Sequence, residues 1–166
     1  MAKAIKTRHL VSAATLAAEA GMQKLKLYTI LGLPTETQAD LDELLALTEE
    51  LASHLPVALG IAPLVPKLHT PLGDAPFAGV KVVRDRLRYL KQRLPARVEI
   101  RGTSARWAWV EYRLSQGDAT AGLAALQAWR AGGHFAEWKA AFETIDERAG
   151  LQAAQRAGLW RAAGMR

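Results

Sequence analysis

Apolar positions follow two alternating rhythms along the first hundred residues. Short unbroken apolar runs give way to stretches in which leucine or alanine returns every three or four positions. Residues 7 to 20 read as a helix, with Leu10, Ala13, Ala14 and Ala17 on one side and Gly21 as its stop. Leu25 to Leu31 (LKLYTIL) reads as a strand, and its near-continuous apolar character suits a strand covered on both faces of a parallel sheet. Thr37 followed by Asp40 resembles a capping box, and Leu41, Leu44, Leu45, Thr48 and Leu51 then fall at helical spacing until His54-Leu55-Pro56. Val57 to Leu64 (VALGIAPL) predicts a second buried strand. Helix signals resume near Val80, with Val83, Leu87, Leu90 and Leu94 on one stripe and Pro95 as the stop. Arg97 to Arg101 alternates charged and apolar side chains, the pattern of a short strand with one exposed face.

After Gly102 the texture changes, with alanine, tryptophan and arginine frequent and proline gone. Four short helices are predicted here. The first carries Trp107, Val110 and Leu114; the second is capped by Asp118, carries Leu123 and Leu126 and stops at Gly132-Gly133. The third has Phe135, Trp138, Phe142 and Ile145, and the last runs from about Glu147 to Ala163 around Leu151, Ala154 and Gly158. The order is αβαβαβ followed by a helical tail, which argues for a parallel sheet with helices over it. So few strands do not fill an eight-stranded barrel, so the sheet should be open, with an exposed edge. The expected class is α/β, with residues 1–102 forming the strand-bearing part and 103–166 the helical tail.

The chain has 166 residues, half of them hydrophobic and 23% charged, which is enough for a packed core and excludes a disordered chain. No apolar run is long enough to span a membrane, and MAKAIKTRHL has no secretory core, so a cytoplasmic protein is expected. The net charge of +6 raises the question of nucleic acid. Arginine is nevertheless scattered from Arg84 to Arg166 rather than clustered. There is no cysteine, and hence no disulfide, no thiolate nucleophile and no ligand set for an iron–sulfur cluster.

Candidate chemistry concentrates where the first strand ends. Gly32-Leu33-Pro34-Thr35-Glu36-Thr37 joins strand to helix, and in parallel α/β proteins ligands bind at such carboxyl ends. Five of the seven prolines lie between Pro56 and Pro76, so the loop VPKLHTPLGDAPFAG should be stiff and extended. His69 stands in that loop and reads as a surface side chain more than as a substrate or cofactor contact; His9, His54 and His134 are scattered, without the spacing of a metal site. Asp40, Asp42, Glu43, Glu49 and Glu50 fall on the polar side of a leucine-striped helix and read as a solvated face. The five tryptophans, at helical spacing beside leucine and phenylalanine, read as core more than as base-stacking surfaces. No Ser/His/Asp elbow, phosphate loop or dinucleotide fingerprint is present.

LYTILGLPTET, with APLVPKLHTPLG one helix later, resembles the carboxyl-terminal half of a radical S-adenosylmethionine domain. RLSQGDATAGLAALQAWRAGGHFAEW resembles the tail of its B12-binding-type branch, where a Leu-Ser-Arg-Gly-Asp motif precedes Gly-x-x-Phe-x-x-Trp. Leu114, Ser115, Gly117, Asp118, Gly132, Phe135 and Trp138 match that pattern. Gln116 departs from its arginine, Leu68 from its proline, and Thr35 stands where glycine is usual. The resemblance covers roughly residues 7 to 145. It implies a half TIM-type barrel of parallel strands with flanking helices and a helical tail, a truncated or split product that lacks the upstream three-cysteine motif. It also implies that Ile30, Gly32, Leu33, Pro34 and Glu36 form one wall of an S-adenosylmethionine site, with Gly32 letting the backbone approach the ligand and Val65 and Pro66 near the adenine. These would be binding residues, with no catalytic residue and no metal ligand in the chain. A [4Fe–4S] cluster would come only from a cluster-bearing partner segment, with self-association the other route to a covered barrel face. The rival expectation is a basic RNA-binding or protein-interaction module.

Overall fold

A computed structural model describes residues 5–162. Three strands form one parallel sheet in the order β1-β2-β3: β1 Leu25–Leu31, β2 Val57–Pro63 and β3 Val98–Gly102. Helix α1 (Thr7–Glu19) precedes them, α2 (Gln38–His54) joins β1 to β2, and α3 (Val80–Arg93) joins β2 to β3. The register pairs Leu25 with Val57 through Leu31 with Pro63, and Val57 with Val98 through Ile61 with Gly102. Three helices follow: α4 (Ala105–Gln116), α5 (Ala119–Arg130) and α6 (Phe135–Ala162). No helix among the described residues is long and apolar enough to cross a membrane.

The chain divides into two compact units. The first takes residues up to Leu64 together with Ala75–Ala108; the second takes Val65–Asp74 and the residues from Trp109 onward. In the first, Leu31, Val57, Leu59, Ile61 and Val98 point from the strands into a core completed by Ala14, Leu41, Leu45, Leu51, Val83 and Leu90 of the helices. Strand periodicity of two sends the intervening residues to the other face. There Tyr28 is 83% exposed and Ile30 52%. The expectation that β1 is covered on both faces is therefore not met. The leucines at 25, 27 and 31 face the helices, while Lys26, Tyr28 and Ile30 face outward.

Local chemistry explains where elements start. Thr37 and Asp40 form the predicted capping box: the Thr37 N–H donates to Asp40 Oδ2 at 2.7 Å. Those bonds hold the Asp40 carboxyl below its ordinary range. Thr48, buried at the inner face of α2, donates its hydroxyl to the Leu44 carbonyl at 2.7 Å and so needs no outside partner.

In the second unit, Val110, Ala121, Ala124, Ala128, Ala141 and Phe142 form the core, with Trp109, Phe135, Trp138 and Ile145 against it. The Trp109 ring meets Phe135 and Phe142 edge-on at 5.6 and 5.7 Å. Arg113 lies over the Phe142 ring at 4.6 Å and pairs with Asp146 at 2.7 Å. Three expectations for the tail are corrected. Residues 135–162 form one helix rather than two, because nothing around Asp146 and Glu147 breaks the backbone. The buried stripe of α5 is Ala121, Ala124 and Ala128, so Leu123 and Leu126 are exposed; small residues are what let helices approach closely. Trp107 and Trp129 are likewise exposed, leaving Trp109 and Trp138 partly buried against the core; the burial of Leu151, Ala154, Gly158 and Trp160 lies outside what is described.

Candidate functional site

The carboxyl ends of all three strands share one edge of the sheet. There the Leu64 N–H donates to the Leu31 carbonyl at 2.7 Å and the Thr103 N–H to the Ile61 carbonyl at 2.9 Å, so the segments leaving the sheet stay in register for one further residue. The turn after β1 is held from within. Gly32 has φ 88°, and its N–H donates to Glu36 Oε2 at 2.8 Å. Glu36 Oε1 lies 2.7 Å from the Arg86 guanidinium of α3, and Arg86 also donates to the Glu36 carbonyl at 3.0 Å. A Cβ at Gly32 would stand 3.2 Å from Ala78 Cβ and 3.6 Å from Val83 Cγ2, so this glycine is needed both for its left-handed backbone and for the close approach of those side chains.

These contacts sort the sequence-predicted residues. Ile30 is exposed on the open sheet face, and Leu33 and Pro34 are exposed on the turn. Gly32 is buried, and the Glu36 carboxylate, 5% exposed, is spent on Gly32 and Arg86. Val65 and Pro66 belong to the second unit, where Pro66 is fully buried. The first five residues are thus brought together as one turn, with Ile30, Leu33 and Pro34 outward and Gly32 and Glu36 inward. A concavity of about 210 Å³ lies against it, lined by Thr29, Ile30, Leu33, Thr35, Glu36 and Leu41 among others. A larger one, about 560 Å³, lies on the open sheet face over Tyr28, Ile30, Ala58, Gly60 and Ala62, with Lys26 and Arg101 at its rim.

The proline loop is not the extended segment expected. Residues 68–74 are a run of turns in which Thr70 Oγ1 donates to the Lys67 carbonyl at 2.7 Å and the Gly73 N–H to the Thr70 carbonyl at 2.9 Å. Gln116 Nε2 donates to the carbonyls of Pro66 and Gly73 at 3.1 and 2.9 Å, tying both ends of the loop, and Lys67 reaches Glu111 and Ser115. His69, at the apex, is exposed with φ 63°, a left-handed conformation uncommon outside glycine. Proline restricts φ but does not prevent turns, and a turn needs only Gly73 and a capping threonine. Arg86, which sequence reasoning missed, and Gln116, which it marked only as a departure from a motif, act on partners 43 to 50 residues away, where no local spacing signals the contact.

His9, His54 and His134 are exposed and apart, and no group of three His, Asp or Glu among the described residues could hold a metal. The acidic residues of α2 are exposed, but two of them have structural partners: Asp40 caps the helix, and Asp42 accepts from the Tyr89 hydroxyl, which pushes the tyrosine above its ordinary range. Two arginines that an RNA surface would use are paired within their own units, Arg101 with Glu99 and Arg113 with Asp146.

Fold and site together define an α/β protein whose parallel sheet carries helices on one face and a concave apolar surface on the other. No family model matches the chain, and no solved structure does. Over 69 residues it is 39% identical to an uncharacterized protein of Methanocaldococcus jannaschii, a stretch amounting to 41% of this chain and 16% of that protein. The chain therefore spans about one sixth of that relative's length.

Proposed function

We propose that the first unit is part of the wall of a radical S-adenosylmethionine barrel, contributing one side of the cofactor site and no catalysis of its own. The observation that carries this reading is the winding of the sheet. Strand order β1-β2-β3 follows the chain without reversal, and the helices gather on one face. A barrel winds in one sense and leaves the opposite face to the lumen; one half of a doubly wound sheet also winds so over three strands, and the resemblance around Gly32-Leu33-Pro34 is what favours the barrel. The partial TIM-type barrel belongs to this proposal and not to the topology alone.

The residues fit the cofactor in part. Ile30, Leu33 and Pro34 offer apolar surface at the carboxyl edge, and Gly32 and Glu36 fix the turn that presents them. S-Adenosylmethionine, when bound beside a reduced cluster, supplies a carbon radical. What this chain does is bind and orient the nucleoside and exclude water from one side of it. The cluster does not fit this chain, because a [4Fe–4S] centre needs thiolates and the sequence has none. Those thiolates must come from a different polypeptide segment, which would also close the lumen. Gln116 stands where the B12-binding branch has arginine, and in this chain its bonds to the Pro66 and Gly73 carbonyls hold the proline loop.

Calorimetric titration of the full chain with S-adenosylmethionine tests the reading. Binding that is lost in Leu33→Asp and kept in Trp129→Ala is the expected result. No binding at millimolar cofactor overturns it. Salt-dependent retention on RNA that vanishes when Arg97, Arg101, Arg106 and Arg113 are changed to alanine would put a nucleic-acid module in its place.

A further inference from the structure

The middle of the open sheet face has a composition of its own. Register sets Tyr28, Gly60 and Arg101 in one row across the three strands, with Lys26, Ala58 and Glu99 in the row before it and Ile30 and Ala62 in the row after. A Cβ at Gly60 would stand 2.9 Å from Tyr28 Cδ1 and 3.1 Å from Cε1, so the tyrosine ring leans across the central strand on the space that glycine leaves. Its other face is open to solvent, with 83% of the residue exposed. The central strand contributes only Ala58, Gly60 and Ala62 to the floor. The rim is cationic: Lys24 and Arg101 both bind Glu99, at 2.9 and 2.6 Å, and Lys26 has no partner among the described residues. Three cations thus face one carboxylate.

We propose that this face is a stacking platform for a single planar anion, a nucleobase carrying a phosphate, with Tyr28 beneath the ring and Lys26, the cation of the rim that Glu99 does not hold, taking the charge. Size favours one ring system over a strand of nucleic acid. Neighbouring strands are about 4.8 Å apart and alternate residues about 6.7 Å, so the part of the floor that spans all three strands, two rows long, measures roughly 10 by 7 Å. One purine fills that; a run of bases does not. The concavity of about 560 Å³ is in the range of small-ligand sites. The inference does not rest on the cofactor reading. S-Adenosylmethionine carries a sulfonium and an ammonium against one carboxylate, and the Lys26 side of the platform disfavours that net positive charge while attracting a phosphate.

The test is a calorimetric titration of the full chain at low salt with AMP, adenosine, inorganic phosphate, S-adenosylmethionine and a short oligoadenylate. The expected order places AMP first, with adenosine and inorganic phosphate each at least ten-fold weaker. Tyr28→Ala and Lys26→Ala should each lower AMP affinity about ten-fold, and Tyr28→Phe should keep it, because stacking needs the ring and not the hydroxyl. Gly60→Ala, which displaces the ring, should mimic Tyr28→Ala. Tyr28 is exposed, so its variants should fold, which circular dichroism checks. Equal AMP affinity in Tyr28→Ala, or no AMP binding at millimolar ligand, overturns the platform. Oligoadenylate binding tighter than the number of bases accounts for overturns the single-ligand assignment. S-Adenosylmethionine binding that survives Lys26→Ala leaves the cofactor reading intact whatever AMP does.

Discussion

Arg86→Met tests the inner lock of the turn after β1. Glu36 and Arg86 have side chains 5% and 23% exposed. The carboxylate accepts the Gly32 N–H at 2.8 Å and sits 2.7 Å from the guanidinium, which also donates to the Glu36 carbonyl at 3.0 Å. Methionine keeps the apolar stem and removes the charge, leaving an enclosed carboxylate with one backbone donor. Breaking a fully buried pair costs about 3–5 kcal/mol. Water reaches this one through the quarter-exposed arginine, so about 2–3 kcal/mol is expected. Glu36→Gln should cost less, about 1 kcal/mol, because the amide oxygen still accepts from Gly32. Once the carboxylate is gone, the arginine has less to lose, so the double variant should fall short of the sum of the singles by at least about 1 kcal/mol. Urea denaturation followed by circular dichroism gives the three values, and exchange of the Gly32 amide hydrogen gives a local one. Single-variant costs that add to within about 0.5 kcal/mol would refute the reasoning. So would an unchanged midpoint in Arg86→Met.

Three further substitutions probe separate parts of the molecule. Glu99 is held down to about 2 from 4.5 by hydrogen bonds from Arg101 and then Lys24, so its contribution is present above pH 4.5 and is lost as pH falls from there toward 2; urea midpoints measured across that window should slope less in Glu99→Gln. Gly73→Ala puts a Cβ 2.8 Å from the Lys67 carbonyl oxygen and 3.1 Å from that of Thr70, a clash with backbone worth about 1–3 kcal/mol, and it should speed proteolysis within residues 65–74. Leu51→Ala empties a fully buried site in the first core and should cost about 2–5 kcal/mol in the same denaturation assay.

Periodicity made most of the first unit legible. Leu25–Leu31 is the strand that was expected, and α2 buries Leu41, Leu45, Thr48 and Leu51 as its spacing requires. Misreadings arose where residue type and residue position disagree. Ile30 and Tyr28 are strand formers whose type hides that they alternate outward with Lys26. In α5 leucine outweighs alanine on any hydrophobic scale, yet the alanines are the ones that fit against a neighbouring helix. The candidate site was legible as a turn and not as a mechanism of holding it. The glycine and proline of Gly32-Leu33-Pro34 mark the turn by themselves, whereas the Arg86 lock and the Gln116 tie join residues fifty positions apart and leave no local trace.

The open face shows what can cover it. Parallel sheets normally bury both faces, and a covering helix gains its free energy from large apolar side chains interdigitating with those of the sheet. Of the outward positions, Lys26, Glu99 and Arg101 are charged and Ala58, Gly60 and Ala62 are small, so only Tyr28 and Ile30 have much apolar area to offer. A helix laid there would bury little and would strand charges. A barrel lumen lined by small residues, by contrast, leaves room for a ligand. Ala62→Leu separates the two cases. It adds apolar area to an exposed position, so a protein cover should bind it more tightly, whereas it fills the concavity that a flat ligand needs. Stability should stay within about 0.5 kcal/mol of the parent, because the position is exposed. Loss of AMP binding with an unchanged sedimentation profile would assign the face to a small ligand; concentration-dependent dimerisation with AMP binding intact would assign it to a second protein surface.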